Sequence, residues 1–203
     1  MRGRFISAMT VGLLALTLLT GPVHGAGAAK QRPSRLVLHD GAGDVWQMDP
    51  DTGLLAKVGL MPSADVTWAV VRHRNRAFEA RMRFVKLQRV GFLQDFWVDF
   101  KTPTSEFSAH VGADQTNWAG SHALANPFRT FPIVRCPGFT HRIDYAQNLM
   151  TMRVPRSCFG RPAWVKVQIA NHLQPDGEAG TYLENPHNHL AEASRFSKRL
   201  YRG

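Results

Sequence analysis

The chain has 203 residues, 44% hydrophobic and 20% charged, with a formal net charge of +10. This length suits one ordinary domain able to bury a sizeable core, and no segment beyond the N-terminal region is apolar enough to span a bilayer. The basic excess points to anionic partners such as glycopolymers, phospholipid headgroups, extracellular nucleic acid or acidic proteins, and says nothing about fold or chemistry.

Arg2 and Arg4 precede an apolar run over residues 9–19, and Gly21-Pro22 leads to Ala26-Gly27-Ala28, an A-x-A cleavage pattern. The run is well short of the roughly 18 to 20 residues a membrane span needs. Residues 1–28 are therefore expected to be a signal peptide cleaved near Ala28, and the protein to be secreted. That segment carries two of the 25 basic residues and none of the 15 acidic ones, leaving a single domain over residues 29–203 with charge +8.

Alternating patterns dominate the remainder, and no convincing helical period occurs before the tail. Arg35–His39 reads as a first strand, ended by Asp40-Gly41-Ala42-Gly43-Asp44, and Val45–Met48 as a second. Asp49-Pro50-Asp51-Thr52-Gly53 is a turn, because Pro50 fixes φ and Gly53 accepts φ > 0. Residues 65–73 (DVTWAVVRH) are apolar on both faces, with Val66, Trp68 and Val70 expected opposite Thr67, Ala69 and Val71. A turn at Arg74-Asn75-Arg76 leads to residues 77–87, where Phe78, Ala80, Met82 and Phe84 face the core and Glu79, Arg81 and Arg83 face water. Residues 92–102 repeat the alternation, with Phe96, Val98 and Phe100 inward and Asp95, Trp97, Asp99 and Lys101 outward.

Residues 107–111 make another short strand, after which residues 112–132 lose their rhythm and read as a long loop. Residues 133–136 resume the sheet, residues 138–144 pair with residues 149–155 across a turn at 145–148, and residues 164–170 alternate again. From about residue 172 the composition turns polar and basic. There Asn188 can cap a last helix carrying Leu190, Ala193, Phe196 and Leu200 on one face; a disordered basic tail is the alternative. Eight to ten short strands with turn punctuation predict an all-β protein, a two-layer antiparallel β-sandwich or jelly roll.

Cys136 and Cys158 are the only cysteines, and in an exported chain they are expected to form a disulfide worth about 3 kcal/mol of loop-closure entropy. A paired cysteine is no nucleophile, which removes thiol catalysis. The bracketed run GFTHRIDYAQNLMTMRVPRSCFGRPAWVKV, together with HDGAGDVW, ADVTWAVVRHRNR and SKRLYRG, resembles a set of uncharacterised secreted proteins of high-GC Gram-positive bacteria. Their hallmark is a Val-Pro-Arg-x-Cys-Leu-Gly-x-Pro-x-Trp-Val run; here Phe159 stands where leucine is usual. The resemblance covers most of residues 29–203, is weakest over residues 93–132, and implies a β-sandwich and export. It implies no activity and therefore no catalytic residue.

Two groups suggest binding. Asp95, Trp97 and Asp99 share one face of one strand, and an indole flanked by carboxylates can stack on a sugar while bonding its hydroxyls. Residues four apart on a strand lie about 13 Å apart, too far for a glycosidase pair, and the competing reading has these acids paired with the neighbouring arginines. Arg74, Arg76, Arg81 and Arg83 dominate a hairpin whose only acid is Glu79, and its wet face would suit a polyanion. No nucleic-acid fingerprint, nucleophile elbow, phosphate loop or HExxH occurs, and no cofactor is expected.

Metal signals are weak. Asp40, Asp44, Asp49 and Asp51 can supply oxygen ligands for calcium, but D-x-D-x-G is also a common turn. His187 and His189, with Glu184 near, lack further partners of fixed geometry, so no metal site is assigned. The expected function is a secreted, non-catalytic β-sandwich that binds extracellular glycan or another anionic polymer. The alternatives are a structural or protein-interaction domain of the cell surface, and a hydrolase using residues 112–132 as a lid.

Overall fold

The computed structural model describes residues 32–127, 132–176, 180–186 and 196–203. The expected signal peptide, His187, His189 and the beginning of the expected C-terminal helix lie outside them. In chain order, β1 (Arg35–His39), β2 (Val45–Met48) and β3 (Leu55–Gly59) precede the hairpin of β4 (Val66–His73) and β5 (Ala77–Phe84). Next come β6 (Leu93–Lys101), β7 (Glu106–Asp114), β8 (Asn117–Ala125) and the short β9 (Ile133–Val134). The hairpin of β10 (Thr140–Asp144) and β11 (Leu149–Pro155) leads through a 3₁₀ turn at Arg156–Phe159 to β12 (Trp164–Gln174), β13 (Thr181–Glu184) and β14 (Leu200–Tyr201).

Two antiparallel sheets pack as a β-sandwich, as the alternation predicts. One has the order β1-β4-β5-β11-β10; the other runs β3-β2-β13-β12-β6-β7-β8-β9, with β14 beside β12. The inward positions fill the space between them: Phe78 and Met82 of β5, Phe96, Val98 and Phe100 of β6, and Val165, Val167 and Ile169 of β12 are fully buried. Four rings from both layers meet in this core, since Phe100 lies 5.0 Å from Phe78, 5.5 Å from Phe107 and 4.9 Å from Phe159. At one rim the layers meet again through His122 of β8 and His141 of β10, whose Nδ1 atoms are 2.8 Å apart.

The two cysteines form the expected disulfide, with Cα atoms 5.2 Å apart. The loop it closes contains the β10–β11 hairpin, whose turn ends at Asn148 with φ of 54°. The Asp49–Gly53 turn is also as expected: Gly53 sits at φ 68° and donates to the Asp49 carbonyl.

Several expectations are corrected. Residues 112–132 are no long loop, because β7 continues to Asp114 and β8 spans Asn117–Ala125. Gly, Ala and Ser in NWAGSHALA give no hydrophobic period, so backbone pairing, with β7 along its length and with β9 at its end, makes that strand. The lid of the hydrolase reading is thereby lost. A bulge between Val66 and Trp68 turns Val66 inward but Trp68 and Val70 outward, with Ala69 and Val71 inward. The polar region after residue 172 belongs to the sheet: β12 runs on to Gln174, and β13 pairs with both β12 and β2. Leu200 lies in β14 opposite Val165 rather than on a helix, and no α-helix occurs among the described residues.

Candidate functional site

The outer face of the five-stranded sheet is an arginine platform. Because side chains alternate along each strand, register decides which arginines share a face. One row across the sheet reads Arg142, Thr151, Arg81, Val70 and Val37; the next reads Thr140, Arg153, Glu79, Arg72 and Arg35. A third places Arg83 between Leu149 and Trp68. Arg35, Arg81, Arg83, Arg142 and Arg153 are exposed and Arg72 is half-buried. Val70, although on the outer face, is only 2% exposed, so it and Trp68 form an apolar bed for the stems of the surrounding cations.

Acids are few here. Glu79 bonds Arg74 at 2.7 Å and approaches Arg153 at 3.9 Å, and Asp144 holds Arg142 at 2.8 Å. Partial burial, and then repulsion from Arg35, Arg74 and Arg81, lower the pKa of Arg72, which records the crowding of like charge. A shallow groove of about 290 Å³ runs between Arg81, Arg142 and Arg153, floored by Thr140 and Thr151. Of the four arginines singled out in the sequence, Arg81 and Arg83 belong to this face. Arg74 and Arg76 sit exposed at the hairpin turn beside it. The sequence reading missed Arg35, Arg142 and Arg153, because only register brings their strands next to β4 and β5.

Asp95, Trp97 and Asp99 do share one face, but on the other sheet. The strands flanking β6 are β7 and β12, not the arginine hairpin, so the expected pairing of these acids with arginines does not occur. Histidines are their neighbours instead. Trp97 stacks on His110 at 4.7 Å with 16° between planes, His172 tilts against it at 6.0 Å, and His110 lies 3.7 Å from Asp95. A recess of about 250 Å³ opens beside the indole, lined by Trp97, Asp99, Gln168, Ala170, His172 and Asn185.

Burial raises the Asp99 pKa, opposed by the Ser108 hydroxyl and by His172. Burial lowers the His172 pKa, opposed by Asp95 and Asp99. The Trp97 indole N–H is shut away without an acceptor. The alternation in residues 106–114 and 164–174 does place His110 and His172 outward, yet their meeting with Trp97 depends on pairing that sequence does not show.

A third group joins two half-buried acids to a buried one. Asp40 and Asp44, both in the loop from β1 to β2, meet Glu184 at the end of β13, with oxygens of all three within 4.8 Å of one another. Burial, together with the neighbouring Asp40, Asp44 and Asp65 carboxyls, pushes Glu184 far above the ordinary carboxylate range. The other two aspartates of the calcium reading are elsewhere. Asp49 Oδ1 accepts from the backbone N–H groups of Asp51 and Thr52 and from the Thr52 hydroxyl, and those bonds from Thr52 hold its pKa down.

Comparison with protein-family models, with curated proteins and with solved structures returns no match. The site must therefore be argued from its own chemistry.

Proposed function

We propose that this β-sandwich is an exported, non-catalytic binding module for an anionic extracellular polymer, held on the arginine face of the five-stranded sheet. The observation that carries the reading is the gathering of Arg35, Arg72, Arg81, Arg83, Arg142 and Arg153 on one outer face. Guanidinium groups are the residue type suited to carboxylate, sulfate or phosphate, because their planar fork matches such oxygens two at a time. Strands about 4.8 Å apart space these cations in two dimensions, which favours a repeating polyanion over a single small ion. The net positive charge and the resemblance to exported proteins are consistent with such a partner.

Dextran sulfate serves as a probe, with uncharged dextran as its control. The chain is expected to bind the sulfated polymer alone, with affinity falling about tenfold or more between roughly 50 and 200 mM salt as counterions are released. Arg81→Glu combined with Arg83→Glu should weaken binding at least about tenfold while leaving the thermal midpoint near wild type, since both side chains are exposed. Equal binding by wild type and the double variant would sink the reading. Binding to neither polymer would favour a structural or protein-interaction role at the cell surface.

The recess at Trp97 supports a second reading, a sugar-ring-sized ligand on the opposite outer face. Its size is just below that of ordinary small-molecule sites, and its polar groups converge beside an aromatic wall. Asp99→Asn should then abolish saccharide binding measured by calorimetry without lowering the thermal midpoint. If Asp99→Asn binds the same saccharides unchanged, the recess is only packing.

A further inference from the structure

Strand pairing shapes the recess beside Trp97. Register sets Ala170 of β12 directly across from Trp97, Gln168 across from Asp99, and His172 across from Asp95. A methyl opposite an indole leaves a gap in its row, and the larger pairs in the rows on either side wall that gap off. Successive rows on one face lie about 7 Å apart, which leaves room for one six-membered ring. β13 ends at Glu184, opposite Asn171, and so stops just before it would reach Ala170. His110 of β7 stacks on the indole from the other flank, and every residue lining the recess belongs to β6, β12 or β13 and its exit. The side of the ring toward β12 is the one a ligand meets.

The charge of this recess is opposite to that of the chain. The formal net charge is +10, yet no lysine or arginine lines the recess among the described residues. Burial lowers the His172 pKa despite the two aspartates nearby, so its imidazole brings no positive charge at neutral pH. Glu184, at the margin, is held protonated by burial and its acidic neighbours. Asp99 is left as the ionised group of the lining. Its carboxylate accepts from Ser108, and because burial raises its pKa, a cation brought beside it favours the charged form. A carboxylate next to an indole is a pairing that holds an ammonium: the acid takes its N–H donors and the ring quadrupole attracts its charge. A hydroxyl in the same place gains the hydrogen bond alone.

We propose that the recess is selective for amino sugars, with the sugar ring stacked on Trp97 in the gap over Ala170 and its protonated amine paired with Asp99. Gln168 and His172, at the two ends of the gap, are placed to bond the ring hydroxyls. Acetylation of the amine would remove the charge that Asp99 recognises. The inference rests on the recess being a saccharide site, the second reading above. It is independent of the arginine face, which belongs to the other sheet.

Calorimetric titration of the whole chain at about pH 6, where an aliphatic amine is protonated, compares the trisaccharides of glucosamine, N-acetylglucosamine and glucose. The glucosamine trimer should bind at least about tenfold tighter than the other two, the difference that a charge-assisted hydrogen bond supplies. Ala170→Leu fills the gap without altering any charge. It should lose the glucosamine trimer while its thermal midpoint stays near wild type, because Ala170 is partly exposed on the outer face of the sheet. Should that variant melt early, Asp99→Asn supplies the comparison, losing the glucosamine trimer from an unfilled recess. Equal binding of all three trimers, or of the neutral ones alone, overturns the amine selectivity and leaves the saccharide recess standing. Binding of none removes both. Glucosamine binding that survives both variants places the amine elsewhere on the chain and also overturns the assignment.

Discussion

Replacing Arg156 by alanine should lower stability by about 3 kcal/mol, read as a shift in the denaturant midpoint at unchanged slope. Arg156, the arginine of the Val-Pro-Arg-x-Cys run, is only 4% exposed. Its Nη1 donates to the Asn75 carbonyl at 2.9 Å, and its Nη2 to those of Arg161 at 2.7 Å and Pro162 at 2.5 Å. One guanidinium thus fastens the 3₁₀ segment to the β4–β5 turn and to the entry of β12. Alanine leaves three carbonyls without their donor, each worth roughly 1 to 3 kcal/mol if water cannot reach it. Arg156→Lys should recover only a minor part, since an ammonium on a flexible stem cannot span the three acceptors as a planar fork does. An alanine variant within about 1 kcal/mol of wild type would mean that water replaces the guanidinium freely.

Phe100→Ala is expected to be costlier still, about 4 kcal/mol, by the same measurement. Its ring is fully buried between Phe78 of one sheet and Phe107 of its own, and it also meets Phe159 of the disulfide-bearing segment edge-on. Truncation removes transfer free energy, opens a cavity and takes away three aromatic contacts together. Phe78 and Phe159 come from elements distant in the chain from β6 and β7, so local repacking has little freedom to close the gap. A cost below about 2 kcal/mol would show that the core collapses around the missing ring.

Both residues alter the meaning of the cysteine-bracketed stretch. The Cys136–Cys158 bridge restrains the hairpin, Arg156 binds its exit to two neighbouring turns, and Phe159 inserts into the inter-sheet core. The most distinctive run in the sequence is a structural clamp. The arginine face and the Trp97 recess lie elsewhere, on the outer faces of the two sheets.

Strands with a strong period of two were legible residue by residue. Phe96, Val98 and Phe100 turn inward and Asp95, Trp97 and Asp99 outward, because alternation needs no knowledge of partners. Strands without that signal were not. Asn117–Ala125 is rich in small residues and carries no clear period, and Thr181–Glu184 is a four-residue strand held by partners on both sides. The bulge in β4 was equally invisible, since one extra residue changes facing without changing composition.

The amino-acid order alone therefore determined the class of fold, the disulfide and the inward set of the long strands, all of which follow from local periodicity and cysteine count. Tertiary structure decided which side chains work together. Arg81 and Arg83 gained Arg35, Arg142 and Arg153 as neighbours, Trp97 met His110 and His172, and Asp40 and Asp44 found Glu184 across more than half of the chain. The physical reason is that strand pairing brings together residues of any sequence separation, and its register is set by the whole core rather than by any one segment.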